Sequence, residues 1–250
     1  MEHEHTPISA DDVTFEELNI GGLHIRQPRL GYRFSLDAIL LADFLHVKAD
    51  ERLIDIGTGS GIIPLLASEL TEAREIVGLE LQERLFTLAH ENIRLNHLED
   101  RITIIRGDLK QVAHAFQAGE FDVVCSNPPY RKVGAGRLNP NPETAIARHE
   151  VACDLNDLVT ASKFLVKPGG KVFLIYLAER LGELMSQLRR HKLEPKRLRF
   201  VHSNHTAEAS LALIEARRDA AAGLKILPPF VVYAKEKEYT DEAKRILRED

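Results

Sequence analysis

The chain has 250 residues, enough to bury roughly 70–75% of its unfolded surface and build a core without covalent staples. It carries 33 Lys+Arg against 38 Asp+Glu, a formal net charge of −5, which excludes a uniformly basic nucleic-acid coat but leaves room for a local basic patch. Two Cys exclude a disulfide scaffold and a multi-Cys zinc site; no apolar run reaches the ~18 residues of a membrane span, and the acidic start MEHEHTPISADD is unlike a signal peptide, so a soluble, cytoplasmic protein is expected.

Residues 1–50 are expected to form a capping segment on a body spanning 51–250, within one domain. Glu2, Glu4, Asp11, Asp12, Glu16 and Glu17 load the first twenty residues with acid, and Arg26, Arg29 and Arg33 follow. A helix is expected from about Ser35, with Ser35 or Asp37 as a candidate cap. Strand and helix then alternate. ERLIDI (51–56) is a short apolar strand, and GIIPLLASEL (61–70) is a helix with Pro64 in its first turn. EIVGLEL (75–81) is a strand, and QERLFTLAHENIRLN (82–96) repeats its apolar residues at helical period. RITIIRGD (101–108) is a third strand before a helical LKQVAHAFQ, and FDVVCSNPPY (121–130) is a fourth. A helix over 154–166 ends before a Pro168-Gly169-Gly170 turn, and KVFLIYL (171–177) is a fifth strand. A helix over 179–192 and strands near 197–203 and 209–216 follow, the last two close enough to pair as an antiparallel hairpin. A short strand and a terminal helix are expected in PPFVVYAKEKEYTDEAKRIL. Such alternation builds parallel βαβ units with helices on both faces of one sheet. The pattern resembles the class I methyltransferase fold: α/β, Rossmann-like, seven mostly parallel strands with the last antiparallel.

Between the first strand and its helix stands Asp55-Ile56-Gly57-Thr58-Gly59-Ser60-Gly61. The G-x-G-x-G spacing lets backbone pass close to a ligand, but it is neither the G-x-G-x-x-G dinucleotide fingerprint, since Ile62 holds the place of the third glycine, nor a phosphate loop ending in G-K-[ST]. A nicotinamide dehydrogenase and a nucleotide triphosphatase are both disfavoured. An acid two residues before such a loop resembles the S-adenosylmethionine loop of class I methyltransferases. On that resemblance, Asp55 meets the amino-acid end of the cofactor and Gly57, Thr58, Gly59 and Gly61 line it. Glu80, beside Leu81, stands at the second strand end to accept from the ribose hydroxyls, and Asp108, beside Leu109, takes the adenine amine. A lone strand-end aspartate is more often a helix cap; three acids at successive strand ends line one crevice.

The fourth strand ends in Asn127-Pro128-Pro129-Tyr130. The prolines stiffen the turn so that an amide, a free carbonyl and a ring stand in fixed relation. By itself this is a rigid loop with a core tyrosine. After the loop above it resembles the [DNS]-PP-[YFW] motif of amino-group methyltransferases. The Asn127 side-chain oxygen and the Pro128 carbonyl can hold the two hydrogens of an exocyclic amine, and Tyr130 can stack on its base. Glutamine side chains are methylated through the same motif, and Asn with Tyr does not choose between these substrates. Cys125 reads as core, and Cys153 has no partner. Neither His3 with His5 nor His202 with His205 has the further ligands of a metal site, so no metal is expected.

The whole chain resembles the bacterial tRNA1(Val) adenine-N6-methyltransferase family. The resemblance is carried by Val13–Leu18, Tyr32–Leu41, Asp55–Gly61, Glu80, Ser126–Tyr130 and Tyr239–Ala243. It implies methyl transfer from S-adenosylmethionine to N6 of an adenine in the anticodon region of tRNA. It also places Tyr32 and Phe34 near the cofactor and Asp37 close to its amino-acid end. The glycine- and proline-rich stretch RKVGAGRLNPNPETAIARHE matches least well; Arg131, Lys132, Arg137 and Arg148 within it are candidate phosphate contacts. A second basic stretch, SQLRRHKLEPKRLRF (186–200), is either a solvated helix end or a phosphate stripe. The competing readings are a protein glutamine methyltransferase, an rRNA guanine-N2 methyltransferase, a DNA adenine methyltransferase and a non-catalytic module that binds S-adenosylmethionine or RNA.

Overall fold

The structure, a computed structural model, describes residues 12–30, 33–128, 154–235 and 238–248. A hairpin of β1 (Val13–Glu17) and β2 (His24–Pro28) comes first, then α1 (Leu36–Phe44). The body runs β3 (Arg52–Ile56), α2 (Ile62–Leu70), β4 (Glu75–Glu80), α3 (Glu83–Leu95) and β5 (Ile102–Arg106). A 3-10 turn over Leu109–His114 leads to β6 (Phe121–Ser126), then α4 (Leu155–Leu165) and β7 (Val166–Leu177). A second 3-10 turn (Ala178–Arg180) opens into α5 (Leu181–Arg190), followed by β8 (Leu193–Asn204) and β9 (Ala209–Arg218). The chain closes with β10 (Lys225–Ile226), β11 (Phe230–Lys235), β12 (Glu238–Tyr239) and α6 (Asp241–Leu247).

The expected seven strands lie in the order β8-β9-β7-β6-β3-β4-β5, and β9 runs antiparallel to both of its neighbours. The sheet is wider than expected. Beyond β8 it gains β11, parallel to β8, with β12 antiparallel to β11, while β10 adds a short parallel pairing to β8. The terminal strand thus continues the edge rather than standing apart.

Two cores explain why the central strands read as continuous apolar runs. Leu53, Val123 and Phe173 face the hairpin, α1, α2 and α6, whereas Ile54, Val124 and Leu174 face α4 and α5. Helix α2 is buried over Ile62–Ser68 because the sheet lies on one side and α1 on the other. The expected turn at Pro168-Gly169-Gly170 proves to be a bulge within a single strand. Pairing starts at Phe121↔Val166 and resumes at Val123↔Lys171, so the intervening residues loop out. Gly170 is required there, since a Cβ would meet the Asp122 carbonyl at 2.8 Å. The LKQVAHAFQ segment makes only the 3-10 turn, with a break in helical dihedrals at Gln111.

Candidate active site

Strands β3, β4, β5 and β6 are mutually parallel, so their carboxyl ends meet along one edge. Asp55, Glu80 and Asn127 all lie at that edge, and Asp108 follows just beyond β5. The bend after β3 is pinned before any ligand arrives. Gly57 N–H and Thr58 N–H both donate to the Leu79 carbonyl, at 2.8 and 3.0 Å. Gly57, Gly59 and Gly61 take φ of 76°, 60° and 85°, the left-handed region that favours glycine. A Cβ on Gly57 would meet nothing within 4 Å, so the backbone here faces open space.

Glu80 is buried, and each of its oxygens accepts one main-chain hydrogen bond: Oε2 from Gly59 N–H and Oε1 from Gln82 N–H, both at 2.8 Å. Burial raises its pKa, while these amides pull the other way. The Leu81 N–H also acts on this carboxylate, and since a carboxylate has about four acceptor positions, capacity remains for a ribose hydroxyl. Leu81, beside it, is an exposed apolar side chain at the same rim.

Asp55 is fully buried. Burial pushes its carboxyl up to about 7, the charge of Glu80 adds to this, and the Thr58 hydroxyl and Cys125 thiol oppose it. The thiol donates to Oδ1 at 3.6 Å, whereas Oδ2 and the Thr58 hydroxyl are buried without a well-formed hydrogen bond among the described residues. A buried carboxylate oxygen lacking a partner is costly in a finished core. Here it fits the expected cofactor, whose ammonium group would supply the missing donor. Cys125 is core, as expected, but it also touches the site; burial, with Asp55 beside it, pushes its thiol well up, so it stays protonated.

Asp108 behaves first as a cap: Oδ1 accepts from Lys110 N–H at 2.9 Å. Both Asp108 and Leu109 are half-buried. The fourth strand end is fastened to the first, because the buried Ser126 hydroxyl donates to the Ile56 carbonyl at 2.7 Å. Ile56 precedes Gly57 and Ser126 precedes Asn127, so this bond sets Asn127 beside the glycine bend. Asn127 and Pro128 are half-buried. Pro129, Tyr130, Arg131, Lys132, Arg137 and Arg148 lie outside the described residues, as does Tyr32.

Phe34 packs on the core that contains α1 and α2, and Asp37 sits half-buried in the first turn of α1. Ser35 is the cap residue, but its side chain makes no capping bond. The approach to α1 is fixed instead by Gln27. This buried amide accepts from Phe34 N–H at 2.9 Å and donates to Glu16 at 3.0 Å. Arg33 also pairs with Glu16 and donates to Thr14 at 2.7 Å. Sequence reading gave no positioning role to Gln27, Ser126 or Asn92. Ser126 alone carried a local signal, as a polar residue closing a largely apolar run just before the Asn127 turn.

The basic stretch divides. Arg197 pairs with Glu215 at 3.0 Å and lies over the Phe44 ring, and Arg199 pairs with Glu242 at 2.7 Å and lies over Phe230. Lys196 donates to the Ala221 carbonyl at 3.1 Å. Arg189, Arg190 and Lys192 precede the start of β8, which is the sheet edge opposite the glycine bend. The stretch is therefore mainly fold-stabilising and does not line the candidate site. Among the described residues no cluster of three or more metal-ligating side chains occurs, and no helix is long and apolar enough to cross a membrane.

Comparisons with known proteins agree with this architecture. Residues 35–128 match the family model described as ribosomal protein L11 methyltransferase (PrmA). The tRNA1(Val) (adenine(37)-N6)-methyltransferase of Aeromonas salmonicida is 32% identical over 163 residues, 65% of this chain and 66% of that protein. Its namesake from Tolumonas auensis is 32% identical over 164 residues, 65% of this chain and 67% of that protein. The alignments thus span about two thirds of these relatives. Among solved structures, a predicted O-methyltransferase from Agrobacterium tumefaciens superposes with a TM-score of 0.66 at 18% identity, covering 85% of this chain and 95% of that one, which shows the shared fold.

Proposed function

The chain belongs to the tRNA1(Val) (adenine-N6)-methyltransferase family, and from that premise we propose that it methylates the exocyclic N6 amine of an adenine in the anticodon region of tRNA. S-adenosylmethionine is the methyl donor; when bound, it supplies an electrophilic methyl group on a sulfonium. Asp55 holds the amino-acid end of the donor, Glu80 its ribose and Asp108 its adenine. Thr58 and the glycines pass beneath it, and Leu81 and Leu109 flank the adenine. Tyr32, Phe34 and Asp37 close over it from the capping segment formed by residues 1–50.

The amine of adenine is a weak nucleophile because its lone pair is delocalised into the ring. Asn127 Oδ1 and the Pro128 carbonyl accept its two N–H groups, favour a more tetrahedral nitrogen and offset the positive charge that grows during attack. Pro129 stiffens the turn and Tyr130 stacks on the base. No general base is needed before transfer, since the nitrogen sheds its proton afterwards. An N6 inside a stack is out of reach, so the adenine is taken from a loop or flipped out. Arg131, Lys132, Arg137 and Arg148 contact phosphates, which makes affinity fall with salt.

The observation that carries this reading is the Ser126–Ile56 bond. It sets the Asn127 turn against the glycine bend whose two neighbouring acids are buried and, among the described residues, face no cation. The test is incubation with radiolabelled S-adenosylmethionine and total tRNA, followed by nucleoside mapping. N6-methyladenosine is expected in tRNA. Label in DNA, rRNA or a glutamine-bearing protein instead would defeat the substrate assignment. Asn127→Ala should lower kcat by about 10²–10³-fold, the scale of losing one transition-state acceptor or donor, with S-adenosylmethionine affinity within threefold of wild type.

A further inference from the structure

Among the described residues no strand lies beside the outer edge of β2; Asn92 of α3 and Asn96 at its C-cap, one helical turn apart, take that place. Asn96 Oδ1 accepts from His24 N–H at 2.8 Å and its amide donates to the His24 carbonyl at 2.7 Å. Asn92 repeats the pattern on Arg26, accepting from its N–H at 2.8 Å and donating to its carbonyl at 2.9 Å. Alternate residues of a strand point their main-chain groups to the same side, and residues four apart share one helix face. The two spacings coincide, so a pair of carboxamides completes the strand edge.

The two asparagines differ in one respect. The second donor of Asn96 goes to the Asn92 carbonyl at 2.7 Å, within its own helix. The second donor of Asn92 goes to the Ser60 carbonyl at 2.9 Å, within the glycine bend. Asn92 is fully buried. Ser60 follows Gly59, whose N–H is held by Glu80. One carboxamide therefore touches both the N-terminal hairpin and the loop that passes beneath the donor.

We infer that Asn92 is a positioning residue that couples the seating of the N-terminal hairpin to the shape of the S-adenosylmethionine loop. The inference rests on the cofactor reading above. Without the Asn92 amide, the Ser60 carbonyl loses its donor and the loop can relax away from the geometry that suits the cofactor; the hairpin loses its lock at the same point. Asn96 ties the hairpin equally well but does not reach the loop, so it separates loss of coupling from loss of stability.

The test measures S-adenosylmethionine affinity by calorimetry, well below the melting temperature of each variant. Asn92→Ala and Asn92→Asp should both raise Kd at least tenfold, the latter because it keeps the acceptor for Arg26 N–H but loses both donors. Asn96→Ala should lower Tm yet leave Kd within twofold of wild type. In methyl transfer, the Asn92 variants should raise KM for the donor and keep kcat within a few-fold. Should the Asn92 variants fail to fold, hydrogen exchange on the wild type decides: S-adenosylmethionine should slow exchange of the His24 and Arg26 amides at least fivefold. A wild-type protein that binds the donor while Asn92→Ala and Asn96→Ala give equal Kd, or that shows no slowing in the hairpin, overturns the inference alone. A wild-type protein that binds no donor overturns the functional reading as well.

Discussion

At the β3–β5 end of the sheet, Asp55 and Glu80 are buried acids that face thiol, hydroxyl and main-chain amides, with no cation among the described residues. At the β8–β11 end, Glu215 and Glu242 are instead held by arginine: Glu215 by Arg197 and Arg217, Glu242 by Arg199 and Arg245. Both regions bring charge into the fold, but only the first leaves it unneutralised. Paired charges at the far end fasten β8 to β9 and to α6, and their fields are spent inside the protein. Buried acids without a cation cost free energy at the near end, a cost that the proposed cationic ligand would relieve.

Removing the uncompensated charge should give the largest effect. Asp55→Asn keeps the shape but removes the proposed partner for the donor's ammonium, so S-adenosylmethionine affinity should fall more than 100-fold by calorimetry. The same variant should be more stable without ligand. Because the folded-state carboxyl titrates near 7 rather than at its ordinary 3.8, the native protein holds a proton that the unfolded chain has already released. Stability from this group is therefore lost as pH rises from about 4 to about 7. At pH 8 the whole cost is present, and Asp55→Asn should raise Tm there by several degrees, but hardly at all near pH 4. A variant that binds the donor normally would break the contrast between the two ends.

Glu80→Gln comes next. Its amide retains one acceptor but must set an NH2 against either Gly59 N–H or Gln82 N–H, each of which now donates to a carboxylate oxygen. The proposed ribose contact and the bend should weaken together. Kd should rise about tenfold, roughly the worth of one charge-assisted hydrogen bond, and an unchanged Kd would remove Glu80 from the site.

The place of these two acids at the carboxyl ends of neighbouring parallel strands was legible in the sequence, because each closes a short apolar run just before a turn. The strand–helix alternation was legible for the same reason: apolar runs buried on both faces cannot be mistaken for loops. What stayed hidden depends on pairing across distance. The β1–β2 hairpin is specified partly by Asn92 and Asn96, more than sixty residues away, and nothing local marks them. Arg197 and Arg199 look like a phosphate stripe until Glu215 and Glu242 are brought beside them. The widening of the sheet by β11 follows from parallel pairing with β8, again a non-local choice.

A pH titration of cofactor binding sharpens the contrast further. Below about 7 the ligand-free Asp55 is protonated and gives an ammonium group no charge to meet. Apparent Kd should therefore worsen about tenfold from pH 8 to pH 6, the response of one group that must ionise before binding. Asp55→Asn should flatten the curve. A flat wild-type curve would mean that the carboxyl is ionised throughout.

The smallest functional effect is expected from the far end. Arg199 donates to both oxygens of Glu242 at 2.7 Å and to the Pro228 carbonyl at 3.1 Å, and it lies over Phe230. Asp43 stands nearby, its carboxyl raised by burial and lowered by Arg199. Arg199→Ala should loosen α6 and β11, costing about 1–3 kcal/mol in denaturant unfolding, because Glu242 loses its strongest partner and Phe230 its cover. Arg199→Lys should recover only part of this, since an ammonium cannot bridge two oxygens and a ring as a planar guanidinium does. Donor affinity should stay within twofold in both variants. If it fell as far as in Glu80→Gln, the charges of the two ends would be energetically joined through the sheet, and the division between a compensated scaffold and an uncompensated site would not hold.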